Sequence, residues 1–95
     1  MSAVGRALVY KPRARKPLLR MPRPQALALR QALESVATGE MGSTDIKPLR
    51  GHRGFFRVRL GSVRAVVEIA NEVVTVWLIG ERGQVYKDLA AMRLD

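Results

Sequence analysis

From Phe55 onward, apolar and polar positions alternate with a period of two as far as Ile79. That period predicts three strands, about 55–60, 63–70 and 73–79. Gly61-Ser62 reads as a two-residue hairpin turn with glycine first, and Asn71-Glu72 as a second turn. The turns fix a register. Leu60 opposes Val63, Arg59 opposes Arg64 and Arg57 opposes Val66, while beyond the second turn Ile69 opposes Val74 and Val67 opposes Val76. One sheet face then carries Phe56, Val58, Leu60, Ala65, Val67, Ile69, Val74, Val76 and Leu78, all apolar, and must be buried. The other carries Phe55, Arg57, Arg59, Arg64, Val66, Glu68, Thr75, Trp77 and Ile79 and is the exposed face, where chemistry is expected.

The first half has a different pattern. Ala3 to Tyr10 reads as a first strand, and Pro12 opens a short helix to about Arg20 with Leu18 and Leu19 facing inward. Met21-Pro22-Arg23-Pro24 breaks that helix. A second helix follows over about 24–37, with Ala26, Leu29, Leu33 and Val36 on one stripe and Gly39 placed to end it. Residues 40–54, rich in glycine, read as a loop, and the segment after Ile79 reads as a short chain-terminal stretch. The expectation is an α+β fold, an antiparallel sheet packed on an N-terminal helical hairpin, in the order β-α-α-β-β-β, with 1–95 as a single domain.

Charge adds the first hint of a partner. The chain has 95 residues with 17 Lys or Arg against 8 Asp or Glu, net +9. Residues 1–59 hold 13 basic and 3 acidic side chains, whereas 60–95 hold 4 and 5. Such asymmetry points to a polyanion: nucleic acid, an acidic protein or an anionic membrane surface. The basic N-terminal stretch carries prolines and reads as fold-forming, which argues against a transit peptide. No cysteine is present, so disulfides, thiolate metal sites and a Cys nucleophile are excluded, and the single histidine, His52, rules out a His-pair metal site. No apolar run is long enough for a membrane span. No metal and no other cofactor is expected, and the cytoplasm is the expected compartment.

The exposed face sharpens this. Arg59 directly opposite Arg64, with Arg57 one pleat away, gathers three like charges at a cost of a few tenths to about 1 kcal/mol per facing pair. Glu68 is the acid expected to compensate one of them. A bound anion would repay the repulsion, and the guanidinium fork suits phosphate. Arg82 and Tyr86 follow just past the third strand of this sheet and can complete a pocket for a phosphate and a stacked base. His52 reads as a surface residue or a minor RNA contact.

Lys47-Pro48-Leu49-Arg50-Gly51, Phe56-Arg57-Val58-Arg59, Val63-Arg64-Ala65-Val66-Val67-Glu68-Ile69, Ile79-Gly80-Glu81-Arg82 and Val85-Tyr86 together resemble the RelE/ParE toxins of bacterial type II toxin–antitoxin modules. The resemblance covers about residues 3–90 and lies closer to the RelE branch. It implies a fold related to microbial ribonucleases, and cleavage of mRNA in the ribosomal A site with inhibition of translation. It assigns the catalytic surface to Arg57, Arg59, Arg64, Arg82 and Tyr86; Lys47, Arg50 and Arg53, in the basic stretch before the strand at about 55–60, are expected to bind RNA. The partners it implies are a cognate acidic antitoxin, in a toxin–antitoxin hetero-oligomer, and the ribosome with its mRNA, with no membrane.

RelE-type enzymes often carry lysines where this chain has Arg57 and Arg59, and Glu81 stands where a basic residue or histidine often precedes the matching arginine. An arginine is not deprotonated in a protein, so neither Arg57 nor Arg59 serves as a general base. Catalysis is then expected to be slower, or to shift onto Tyr86 and ribosomal groups. Two other readings stay open at this stage. One is a ParE-like inhibitor of DNA gyrase without nuclease activity; the other is a catalytically weak RNA-binding homologue of the toxins.

Overall fold

The computed structural model of the protein describes residues 5–92. Strand β1 (Ala7–Tyr10) leads into helix α1 (Pro12–Arg20) and helix α2 (Arg23–Thr38). Then come β2 (Asp45–Pro48), β3 (Phe55–Leu60), β4 (Val63–Ala70), β5 (Val73–Glu81) and helix α3 (Arg82–Ala91). The five strands form one sheet in the order β1-β5-β4-β3-β2, antiparallel throughout except that β1 runs parallel to β5. Ala3 and Val4, the start of the expected first strand, lie outside the described residues.

The expected α+β architecture is present, with two elements more than the pattern suggested. Residues 45–48, expected in a loop, form an edge strand. Asp-Ile-Lys-Pro carries little β-propensity, and a proline is tolerated only where the ladder can spare a donor. The expected C-terminal stretch is instead the ten-residue helix α3.

Both predicted hairpin turns form. Gly61 adopts φ +61°, which lets the β3–β4 turn close in two residues. Asn71 and Glu72 both have positive φ, 53° and 62°, and close the β4–β5 turn. Glu72 is an L-residue held in the left-handed region, while its carbonyl accepts the Ala7 N–H at 2.9 Å and so ties β1 to this turn. Glu72→Gly keeps that carbonyl and removes the strain. It is expected to raise stability by about 0.5–1 kcal/mol, seen as a higher urea midpoint at unchanged m-value.

The α1–α2 hairpin covers one sheet face. Ala14 and Leu18 from α1 and Leu29, Leu33, Val36 and Ala37 from α2 pack with Val58, Val63, Ala65, Val67, Val74, Val76 and Ile79. Helix α2 ends at Gly39, in the left-handed conformation with φ 85°. Leu19, expected to face inward, is 77% exposed. With Ala14 and Leu18 already on the core side, the next residue along the helix turns away from it.

The register deduced from the turns holds from Leu60↔Val63 through Val66 and from Ile69↔Val74 to Val67↔Val76. It then breaks. Val66 pairs with Leu78, not Trp77, so β5 carries one extra residue at Trp77. A bulge of this kind reverses the sidedness of everything beyond it. Ile79 therefore joins the core under the hairpin, and Leu78 joins a second cluster on the opposite face with Phe55, Val66, Val85 and Leu89. The second face is thus not open along its length: α3 folds back over it against Phe55, Val66 and Leu78, and leaves the end bearing the arginines uncovered.

Candidate functional site

Helix α3 uses two stripes. Val85 and Leu89, four residues apart, pack down on Phe55, Val66 and Leu78. Arg82 and Tyr86, also four apart, lie along a neighbouring line and border the uncovered end of the sheet. The chain returns closely at Gly80. A Cβ there would sit 3.1 Å from Val85 Cγ2, so a side chain at this position would require Val85 to give way by a few tenths of an ångström. Gly80 also stands opposite Arg64 in the β4–β5 register, which leaves room beside that guanidinium.

Arg57, Arg59, Arg64, Arg82 and Tyr86 line one open depression of about 250 Å³. These are the five residues to which the resemblance assigns the catalytic surface, and the fold brings them together from β3, β4 and α3. Arg59 lies opposite Arg64 as deduced. Arg64 is only 8% exposed; its Nη1 donates to the carbonyls of Gly61 at 2.8 Å and Val63 at 3.2 Å. Its hydrogen bonds go to neutral carbonyls, and among the described residues no carboxylate pairs with it. A guanidinium withdrawn from water without a counter-ion is costly, and an anion entering the depression would offset that cost. Arg82 is the first residue of α3, so the positive end of the helix dipole adds to the field at the same margin.

Glu68 does not compensate the arginines. Its Oε1 accepts the Trp77 indole N–H at 3.0 Å, on the stretch of sheet away from the depression. The compensating acid is Asp45, which the loop assignment of residues 40–54 had hidden. Asp45 pairs with Arg59 in the β2–β3 register; its Oδ2 lies 2.8 Å from Arg59 Nε and its Oδ1 3.2 Å from Arg57 Nη1. Asp45 thus engages two of the four guanidinium groups from outside the depression, which stays strongly positive.

Lys47 is exposed and sits opposite Arg57 in the β2–β3 register, which extends the basic strip towards the sheet edge. Arg50 and Arg53 are exposed in the turn between β2 and β3 and do not line the depression. His52 lies in the same turn, edge-on to Phe55 with ring centroids 6.2 Å apart, and is likewise away from the five residues. The second tyrosine, Tyr10, is half-buried on β1; burial pushes its hydroxyl above the usual tyrosine range, against an opposing effect of Arg30. It is outside the depression and unsuited to proton transfer near neutral pH. Among the described residues, no three His, Cys, Asp or Glu side chains converge as metal ligands would, and no helix is long and apolar enough to cross a membrane.

Solved structures of RelE-type toxins share this arrangement of sheet and helices. A mutant of the E. coli toxin RelE in the free state superposes with a TM-score of 0.73 at 22% identity, covering 90% of this chain and 95% of that one. The RelB–RelE antitoxin–toxin complex from Methanococcus jannaschii matches with a TM-score of 0.70 at 17% identity, over 84% and 96% of the two chains. The chain has the RelE fold. The YoeB dimer from Staphylococcus aureus shares it at 12% identity, with a TM-score of 0.69 over 80% of this chain and 95% of that one. No family model matches the chain, and no curated protein matches it in sequence. Identities this low speak for the fold, and the polar residues on its surface stand on their own chemistry.

Proposed function

We propose that this chain is the toxin of a type II toxin–antitoxin module, of the RelE branch, and that it is an endoribonuclease. It cleaves mRNA in the ribosomal A site without a metal ion and thereby inhibits translation. The observation that carries this reading is the convergence of Arg57, Arg59, Arg64, Arg82 and Tyr86 on one depression, with Arg64 buried and lacking a carboxylate partner. The RelE fold supports it. A cognate acidic antitoxin, the ribosome and mRNA are the proposed partners, and the cytoplasm is the proposed compartment.

The chemistry asks for three things. The 2′-hydroxyl oxygen attacks the adjacent phosphorus, the P–O5′ bond breaks, and a 2′,3′-cyclic phosphate and a 5′-hydroxyl result. The proton leaves the 2′-oxygen and one is delivered to the 5′-oxygen. Arg64 and Arg82 are the clamp on the phosphate, stabilising charge as it develops; fixed donors of this kind are worth about 2.7–4 kcal/mol each. Arg57 and Arg59 neutralise the flanking backbone. Tyr86 is the one group at the site with a proton that it can exchange, since a guanidinium does not give its own up.

Expression of the wild-type chain is expected to arrest bacterial growth. Tyr86→Phe, which keeps the ring and removes only the hydroxyl, is expected to relieve the arrest. Equal toxicity of Tyr86→Phe and wild type, at equal protein levels, would remove Tyr86 from proton transfer.

A further inference from the structure

We infer that Asp45 is a resident competitor for the phosphate site: in the free protein its carboxylate holds Arg59 and Arg57, and an incoming RNA phosphate must take these donors over from it. The inference rests on the reading of the depression as an RNA phosphate site. Asp45 is the first residue of the edge strand β2 and pairs with Arg59 across the β2–β3 ladder. Its two oxygens engage two different guanidinium groups, Arg57 Nη1 and Arg59 Nε, as two oxygens of a phosphate would. Among the described residues it makes both of the ion pairs in the protein.

The position of Arg59 shows what the competition is about. Arg59 borders the depression with Arg64, Arg82 and Tyr86, and it also borders a neighbouring hollow that contains Ser43, Thr44 and Asp45. Asp45 lines the second and not the first, so its pull on Arg59 is directed away from Arg64. With about half of the Arg59 side chain and a third of the Asp45 side chain exposed, the exchange of one anion for another needs no opening of the core. The pair therefore relieves the Arg59–Arg64 repulsion in the empty site at the expense of affinity in the filled one. Each guanidinium commits a single nitrogen to Asp45, and its remaining donors are available to meet an arriving phosphate before the pair breaks.

The test is binding of a short 2′-O-methyl oligoribonucleotide, which cannot be cleaved, followed by fluorescence anisotropy at fixed salt. Asp45→Asn is expected to bind about 3- to 10-fold more tightly than wild type, the effect of removing one charge close to the site. Glu72→Gln, which removes a charge at the far β4–β5 turn, should change affinity by less than about twofold. In an Arg59→Ala background the gain from Asp45→Asn should shrink, because the nearer of the two side chains held by the carboxylate is gone and only Arg57 is left to be released. Asp45→Ser serves as a second variant, and a thermal melt for each protein confirms folding. An Asp45→Asn affinity no higher than that of Glu72→Gln, or a gain undiminished in the Arg59→Ala background, would overturn the inference. If Arg82→Ala weakens binding while Asp45→Asn leaves it unchanged, this inference alone fails. Absence of oligonucleotide binding by the wild type would overturn the phosphate-site reading and this inference with it.

Discussion

Arg82→Ala is expected to lower ribosome-dependent mRNA cleavage by about 100- to 1,000-fold, the usual loss for one fixed donor at a developing charge. RNA binding should suffer much less. Of the basic side chains around the depression, Arg57, Arg59 and Arg64 remain in the variant, with Lys47 beside them at the sheet edge. Loss of one phosphate contact should reduce the slope of log K against log salt by about 1 and weaken binding modestly. The split between the two readouts is the informative part. A variant that loses binding and cleavage in proportion would make Arg82 a general RNA contact and would move the phosphate clamp elsewhere. The geometry favours the clamp because Arg82 opens α3 and is held against the site by the Val85 and Leu89 anchors and by the close return at Gly80.

The second large effect has two signs. Arg64→Met is expected to abolish growth arrest and cleavage, yet to stabilise the free protein by about 1–2 kcal/mol in chemical denaturation. Arg64 interrupts a strand whose neighbours Val63, Ala65, Val66 and Val67 are all buried, and it is itself buried with only carbonyl partners. An apolar side chain of similar length removes the desolvation cost of a lone charge, as replacements of buried ionic groups by apolar ones often do. A stability gain paired with loss of function is the mark of a residue retained for its ligand. If Arg64→Met instead lowers stability by more than about 1 kcal/mol, the guanidinium is there to cap the Gly61 and Val63 carbonyls, and the argument from its burial fails.

The opposition of Arg59 and Arg64 was legible in the sequence because the local rule that places them is strict. A two-residue turn at Gly61-Ser62 allows one register, and that register sets Arg59 against Arg64. That rule loses its hold where a single residue changes the count. Nothing about Trp77 as a residue type announces a bulge, yet the extra position there moves Leu78 and Ile79 to opposite faces. Helix α3 was hidden for a related reason: Gly83 lies near its start and its contacts with the sheet rest mainly on Val85 and Leu89, too few to set up a period. Strand β2 was hidden by Pro48 and by the glycines around it, and with it the partner of Arg57 and Arg59. Asp45 could be found only once the edge of the sheet was known, since its role comes from a pairing across β2 and β3 and not from its neighbours in the chain. Arg82 and Tyr86 were recognised by their chemistry and their resemblance, and it is α3 that explains why they reach the site.

The most direct test of the central claim is primer extension on a defined mRNA in a reconstituted translation reaction, run with and without ribosomes. The account predicts cuts within the codon in the A site that appear only with ribosomes and are lost in Arg82→Ala. Intact mRNA in the presence of ribosomes and active wild-type protein would contradict it, and would turn attention to gyrase inhibition or to RNA binding without turnover.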